Sequence, residues 1–121
     1  MYEIIFYTDK NGNSEIVDYL DRLKKESETS KAARINREKI LAYISVLAEC
    51  GTRIGAPYVK HIEESIWELR PLRNRIFFFY WKDNTFVLLH HYMKKSQKMP
   101  TRELEKAKKN LKDFLIRKGS V

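Results

Sequence analysis

Two different spacings of apolar positions divide the first half of the chain. Residues 2–7 form a short β-rich run that turn-forming residues close, so we predict a first strand there. From Ser14 onward the apolar positions recur at helical spacing, which predicts a helix that ends near Glu28. A second helical pattern stops at Gly51, because glycine favours the left-handed geometry that ends helices. The two helices should form a hairpin, and the glycines and proline of residues 51–65 predict a loop after it.

The second half of the chain has the pattern of several strands and one helix. Strands are predicted at residues 66–70, 75–81 and 85–92, joined as an antiparallel meander. The middle strand is apolar at successive positions, so helices should cover both faces of the sheet. A last helix begins after Pro100, with Thr101 as its expected cap. The order β-α-α-β-β-β-α predicts an α+β fold, in which a small antiparallel-rich sheet carries a helical hairpin and a C-terminal helix.

Length, charge and cysteine content narrow the class of protein. With 121 residues, the chain is expected to form a single domain, residues 1–121. The 24 basic and 16 acidic residues give a net charge of +8, which indicates a polyanion or an acidic partner, or a surface that is basic for solubility alone. The one cysteine cannot form an internal disulfide, so we expect a reducing, cytoplasmic location. We expect no targeting segment and no membrane association, because no run of about 18 apolar residues occurs.

Three arginines lie close together where the first strand of the meander leads into the second. They are Arg70, Arg73 and Arg75, and alternation places Arg70 and Glu68 on the face opposite the tryptophan of that strand. A guanidinium presents a planar fork of donors that matches phosphate oxygens and stays charged at any working pH. The triplet therefore predicts a site for a phosphodiester. The alternative is that Arg70 or Arg75 pairs across the strands with Glu68 or Asp83.

The last predicted strand ends in two histidines and continues into a group of lysines. Histidine titrates near neutral pH, and tyrosine or lysine can transfer protons where neighbouring charge lowers its pKa. Alternation allows only one of His90 and His91 to share a face with the arginines, and we expect it to be His91, with His90 in the core or under a helix. Lys94, Lys95 and Lys98 leave the strand edge that carries the arginines, although such a run is often a solvated loop.

Two further basic residues precede the meander, and no metal site is predicted. Lys60 and His61 are expected to close the basic site from its other side. A zinc site is not expected, because adjacent histidines on a strand point apart, and Cys50 and His61 lie in unrelated segments. The sequence therefore predicts neither a metal nor a cofactor.

Two stretches of the chain resemble a known group of toxins. The runs IWELRPLRNRIFFFYW and VLLHHYMKKSQKMPTRELEKAKK resemble the phage-derived HigB-like branch of the RelE/ParE toxin superfamily, whose members are type II toxin-antitoxin toxins. The resemblance covers residues 60–109 and rests on an ordered set: WELR, an arginine that opens an aromatic strand, two histidines before an aromatic residue, and KK-x-Q-K-x-P before a helix. Tyr92 stands where the family often has phenylalanine, and Met99 where threonine is common.

The resemblance implies an activity and a set of partners. It implies the RelE-like fold and a ribosome-dependent endoribonuclease that enters the empty decoding site and cuts messenger RNA there. The implied chemistry is independent of metal: the ribose 2′-hydroxyl attacks its own phosphate and leaves a 2′,3′-cyclic phosphate and a 5′-hydroxyl. The implied partners are the ribosome and a helix-turn-helix antitoxin, HigA-like, which binds the toxin as a hetero-oligomer.

This reaction assigns expected roles to the basic residues. It needs a base for the 2′-oxygen, an acid for the leaving 5′-oxygen, and cations for the extra charge on phosphorus. We expect the arginines to stabilise that charge, and the histidine or one of two adjacent lysines to transfer a proton. The expected catalytic residues are Arg70, Arg73, Arg75, His91, Lys94 and Lys95, and the expected RNA-binding residues are Lys60, His61 and Lys98.

Two other functions fit the same sequence. A ParE-like toxin has the same fold but poisons DNA gyrase and has no nuclease site, so it would not need three arginines beside a histidine and two lysines. A nucleic-acid-binding module without catalysis is the third possibility. Cleavage of translated messenger RNA in cells that express the chain, as opposed to DNA damage signalling, separates the three.

Overall fold

A five-stranded sheet forms the centre of the structure, a computed structural model that describes residues 1–119. The strands are β1 Glu3–Phe6, β2 Val59–Glu63, β3 Ile66–Leu69, β4 Asn74–Tyr80 and β5 Thr85–Met93, and the helices are α1 Glu15–Glu26, α2 Lys31–Cys50 and α3 Thr101–Lys118, with a 3₁₀ turn at Gly51–Ile54. The strand order is β1-β5-β4-β3-β2. β1 runs parallel to β5, and the other neighbours are antiparallel.

The hairpin of α1 and α2 covers one face of the sheet. Ser14 and Ser30 cap the two helices by accepting hydrogen bonds from free backbone amides of the first turns. The apolar stripes of both helices pack on alternate residues of the sheet, including Ile76, Phe78 and Leu88. Burial of these stripes, more than helix propensity, holds the hairpin in place.

The last helix covers the opposite face. Leu104, Ala107 and Phe114 of α3 pack on the other set of alternate residues, including Phe77 and Phe79 of β4. The central strand is therefore buried on both sides, as its continuous apolar sequence predicts. The predicted α+β fold, with its helical hairpin and C-terminal helix, is confirmed.

The largest difference from the expected fold is the additional edge strand β2. It lies within the segment that was expected to be a loop, and it pairs antiparallel with β3. The segment has no run of β-branched or aromatic residues, and its pairing depends on cross-strand partners such as Lys60 opposite Glu68. Pairing of this kind depends on tertiary contacts, so local sequence did not reveal it.

Smaller differences occur at helix ends. The first helix ends at Glu26, two residues before the expected Glu28, and Thr101 is the first residue of α3 and not its cap. Pro100 takes the cap position, and no side chain there hydrogen-bonds the first turn. Proline is well suited to this place because it has no amide hydrogen to satisfy. In the part of the chain that the structure describes, no helix is long and apolar enough to span a membrane.

Candidate functional site

A small pocket lined by positive charge lies on the α3 face of the sheet, at the end of β3 and β5. Its volume is about 110 Å³. We call it the basic pocket; Lys60, Ile62, Glu68, Arg70, Arg75, Tyr92 and residues 94–100 line it. We call residues 94–100 the lysine loop, since they carry Lys94, Lys95 and Lys98 between β5 and α3.

The floor of the basic pocket is a buried carboxylate held between arginines. Glu68 is only 4% exposed, and its Oε1 lies 3.5 Å from Arg70 Nε and 4.0 Å from Arg75 Nε. The Tyr92 hydroxyl donates to Glu68 Oε2 at 3.2 Å. The strand register accounts for this set. Glu68 of β3 pairs with Lys60 of β2, and Arg75 of β4 pairs with Tyr92 of β5. The expected alternative of an ion pair between these arginines and Glu68 is therefore present.

Arg75 is fixed by the backbone of the turn that precedes β4. Its Nη1 donates to the carbonyl oxygens of Leu72 at 2.9 Å and Asn74 at 2.8 Å. Leu72 has a φ of 57°, a left-handed conformation that turns its carbonyl inward. Burial lowers the pKa of Arg75, the nearby Arg70 lowers it further, and Glu68 opposes this. A desolvated guanidinium so oriented is strongly attractive to an anion.

Two atoms of the pocket have clear donor roles. Among residues 1–119, Arg70 Nε is the one buried side-chain nitrogen or oxygen without a hydrogen-bond partner. An orphaned buried donor is costly unless something satisfies it. Burial, together with Glu68, raises the pKa of Tyr92 well above its ordinary value, so its hydroxyl keeps its proton and acts as a donor. The Tyr92 proton is already donated to Glu68, so Arg70 Nε, which has only the 3.5 Å ionic contact with Glu68, is the donor left for an anionic oxygen.

The lysine loop is attached to the sheet by Arg73. The Lys94 amide donates to the Arg73 carbonyl at 2.7 Å, and Arg73 Nη2 donates to the Lys94 carbonyl at 2.8 Å. The Arg73 side chain therefore lies outside the basic pocket and holds the start of the lysine loop.

The structure brings together six of the nine residues that the sequence selected. Those in the basic pocket are Lys60, Arg70, Arg75, Lys94, Lys95 and Lys98. Those outside it are His61, Arg73 and His91. His61 is exposed on the other face of β2, with its ring 5.0 Å from that of Trp67 and its Nε2 hydrogen-bonded to the Glu64 carbonyl.

The expected position of His91 beside the arginines is corrected by the register of β5. Plain alternation from Val87 and Leu89, which face α3, would have put His91 on the same face as Arg75. Phe77 of β4 pairs with His90, but the next residue, Phe78, pairs with Leu88, so Leu89 is an extra residue in β5. This β-bulge interrupts the alternation of β5 just before His90. His91 consequently faces the helical hairpin.

Comparison with known proteins identifies a family. The family model for phage-derived protein Gp49-like (DUF891) matches residues 18–112, a span that contains every residue of the basic pocket. The chain belongs to this Gp49-like family. The family is part of the RelE toxin-like group. No curated protein matches the chain.

In this Gp49-like protein the His91 ring is uncharged at neutral pH and joins a hydrogen-bond network with the helical hairpin. Burial lowers its pKa to about 4. Its Nε2 lies 2.8 Å from Asn74 Oδ1, and its ring stacks on that of Tyr19 with centroids 4.2 Å apart. Asn74 also donates to Asn36 Oδ1 of α2 at 2.6 Å. This network ties the turn between β3 and β4, which carries Arg73 and Arg75, to the helical hairpin.

The neighbouring His90 is held between two carboxylates. Its Nδ1 lies 2.7 Å from Glu15 Oε1 in α1, and its Nε2 lies 2.6 Å from Glu103 Oε1 in α3. Burial alone would lower the pKa of His90, but the hydrogen bonds that its ring donates to Glu15 and Glu103 outweigh burial and raise the pKa. The expected place for His90, covered by a helix, is therefore correct, and the ring also connects two helices.

Sequence reasoning did not select Glu68 and Tyr92 as site residues. The sequence contains one usable signal, since an acidic residue alternates with Trp67 and Leu69 in an otherwise apolar strand, on the face of Arg70. A charge in that position needs a partner. Within residues 1–119, no three His, Cys, Asp or Glu side chains are grouped so that they could hold a metal ion.

Proposed function

We propose that this Gp49-like protein is the HigB-like toxin of a type II toxin-antitoxin system and cuts messenger RNA in the decoding site of the ribosome. The observation that carries the proposal is the basic pocket, where two arginines fixed on a buried carboxylate meet lysines from two further segments. Such a pocket suits the phosphate of an RNA chain. Membership of the RelE toxin-like group supports the toxin part of the proposal.

The proposed reaction is a transesterification within the RNA. The ribose 2′-oxygen loses its proton and attacks the adjacent phosphorus, the bond to the 5′-oxygen breaks, and that oxygen takes up a proton. Arg70 and Arg75 bind the phosphate and stabilise the charge that develops on its oxygens. Lys94 and Lys95 transfer the protons, while Lys60 and Lys98 hold the RNA backbone.

Two residues act on this site indirectly in the proposal. Glu68 positions the arginines, because both of its oxygens are engaged and it is almost fully buried. Arg73 positions Lys94 through two hydrogen bonds: its carbonyl accepts from the Lys94 amide, and its guanidinium donates to the Lys94 carbonyl. His91 has no proton-transfer role here, since it lies on the opposite face of the sheet.

The proposal includes a partner and a location. The chain acts as a single domain in the cytoplasm and is neutralised by a HigA-like helix-turn-helix antitoxin in a hetero-oligomer. The net charge of +8 favours an acidic antitoxin segment, whose approach the field of the toxin would accelerate.

Mapping of cut sites on ribosome-bound message tests the activity. We expect products with a 2′,3′-cyclic phosphate, and no cleavage where a 2′-O-methyl group replaces the nucleophile. Arg75→Lys keeps the charge but loses the planar fork, so cleavage should slow by about 10²- to 10³-fold. Arg34→Lys, an exposed site on α2, is the matched control and should cleave normally. Cleavage at a 2′-O-methyl position would reject the mechanism, and DNA damage signalling without RNA cleavage would favour the ParE-like alternative.

A further inference from the structure

A second and larger cleft adjoins the basic pocket. Its volume is about 840 Å³, and it lies between α1 and the first half of α3. Tyr92, Lys95, Ser96 and Pro100 line both the cleft and the basic pocket, so the two lie next to each other. Clefts of about 300–1,000 Å³ accommodate small ligands of nucleoside size. An RNA strand whose phosphate lies in the basic pocket would therefore have a neighbouring nucleoside within reach of the cleft.

One wall of the cleft is a stack of planar groups. His91 and Tyr19 stack with centroids 4.2 Å apart and planes 25° from parallel, and the Arg22 guanidinium lies 5.2 Å from the Tyr19 ring. Burial holds the pKa of His91 near 4, so its ring is uncharged at neutral pH. Unstacked RNA bases are bound on aromatic rings and guanidinium planes of this kind.

The charge of the cleft is opposite to that of the basic pocket. Asp9, Glu15, Asp18 and Glu103 line it, against Arg22 and Lys95. Glu15 and Glu103 bind His90, and Asp9 accepts hydrogen bonds from the backbone amides of its own turn. Asp18 is exposed in the first turn of α1. These carboxylates repel a phosphate, while Asp18 is suited to accept hydrogen bonds from the amino group of a base.

We propose that this cleft is a nucleobase subsite for the nucleotide next to the scissile phosphate, and that Asp18 makes it prefer bases with an exocyclic amino group over uracil. The proposal rests on the proposed function, because it assumes that the basic pocket holds an RNA phosphate. The Tyr19 ring is already covered by His91 and Arg22. The base therefore packs on the exposed Arg22 guanidinium at the end of this stack, and its amino group donates to Asp18. Adenine, cytosine and guanine carry such a group, whereas uracil has no amino group and offers a carboxylate only its ring N3–H, which lies between two carbonyl oxygens that the carboxylate repels.

NMR titration of the full-length protein with uncleavable 2′-O-methyl dinucleotides tests the subsite. The adenine and cytosine dinucleotides should bind about tenfold more tightly than the uracil dinucleotide, the lower part of the discrimination expected for one base contact. Their binding should shift the amide signals of Tyr19 and Arg22, whereas ribose 5-phosphate should shift only signals around the basic pocket. In Asp18→Ala the preference over uracil should fall below about threefold, and Asp21→Ala, exposed on the same helix, should keep it.

The outcomes separate this inference from the proposed function. If ribose 5-phosphate binds the basic pocket but the three dinucleotides bind equally, the subsite is rejected and the phosphate site stands. An unchanged preference in Asp18→Ala likewise rejects the role of Asp18. If neither ribose 5-phosphate nor any dinucleotide shifts signals at the basic pocket, the subsite is rejected, whereas the proposed function stands or falls with the mapping of cut sites on ribosome-bound message.

Discussion

Glu68 and its two arginines depend on one another for their burial. An ionised carboxylate loses several kcal/mol of hydration when it enters the protein interior, and only close partners offset this. Glu68 has three partners around it: Arg70 directly after its own strand, Arg75 from β4, and the Tyr92 hydroxyl from β5. The same contacts leave the two guanidiniums close together at the pocket, where their mutual repulsion favours binding of an anion.

Replacing Glu68 by glutamine should therefore destabilise the protein. Glu68→Gln keeps the size of the side chain but leaves two guanidiniums without a counter-charge, and we expect a loss of about 2–3 kcal/mol in the free energy of unfolding. This is below the ~3–5 kcal/mol typical of a broken buried pair, since solvent screens part of the exposed Arg70 side chain. Urea denaturation measures the loss, and Glu49→Gln, exposed on α2, should change stability by less than about 0.5 kcal/mol. Equal stability of Glu68→Gln and wild type would show that the carboxylate does not offset the arginine charges.

At the scale of elements, His90 is the point where α1, α3 and β5 are joined. Glu15 and Glu103 stand in the first turns of their helices, where negative charge is favoured by the free backbone amides. Both carboxylates can accept a hydrogen bond from His90 at the same time only while both ring nitrogens carry a proton. The start of α3, and with it the end of the lysine loop, is thus held by an imidazolium ion.

The stabilisation by His90 should be lost as the pH rises. Because the folded pKa of His90 is raised above its ordinary value of 6.5, its contribution is complete below pH 6.5 and falls as pH rises through the folded pKa. Glu103→Gln removes one acceptor charge, so the variant should lose less stability than wild type between pH 6 and pH 8. Urea denaturation at the two pH values measures this difference, and the other titrating groups cancel in the comparison.

The matched control for that experiment is Glu105→Gln. Glu105 is exposed in the same helix and should leave the pH dependence unchanged. A pH dependence in Glu103→Gln equal to that of wild type would show that His90 does not titrate between the two carboxylates.

On the scale of the whole molecule, the position of the excess positive charge matters more than its size. The lysine loop, Lys60 and the two arginines of the basic pocket concentrate cations on the α3 side of the sheet. Other lysines, such as Lys24, Lys25 and Lys39, are scattered over the exposed surface of the helical hairpin. A strand of RNA that follows the basic pocket would contact the first group and not the second.

Salt dependence of RNA binding distinguishes the two groups of lysines. Each contact with a single-stranded phosphate contributes about 0.7 to the slope of log K against log salt concentration. The triple variant Lys94→Ala, Lys95→Ala, Lys98→Ala should therefore lower the slope for a short single-stranded RNA by about 2. The triple variant Lys24→Ala, Lys25→Ala, Lys39→Ala loses the same charge and should keep the wild-type slope. Equal changes in both variants would mean that RNA responds only to net charge.

The spacing of apolar residues by itself determined most of the architecture. It specified the helical hairpin, the meander and the C-terminal helix, and it required cover on both faces of the central strand. It also placed Arg70 and Glu68 on the face away from Trp67, as the structure has them. These features follow from the fixed periods of helix and strand, which hold wherever the segment packs.

Only the tertiary structure decided which side chains meet. A strand period of two gives two faces, but a single bulge exchanges them, and the bulge in β5 turns His91 to the hairpin and His90 to the carboxylates of two helices. The Arg73 side chain lies outside the basic pocket, next to a turn in which Leu72 takes a left-handed conformation. The spacing of residues in the sequence does not predict that conformation. Pairing partners from distant segments set register, bulges and turns, so the composition of the basic pocket could not be read from the sequence of any one strand.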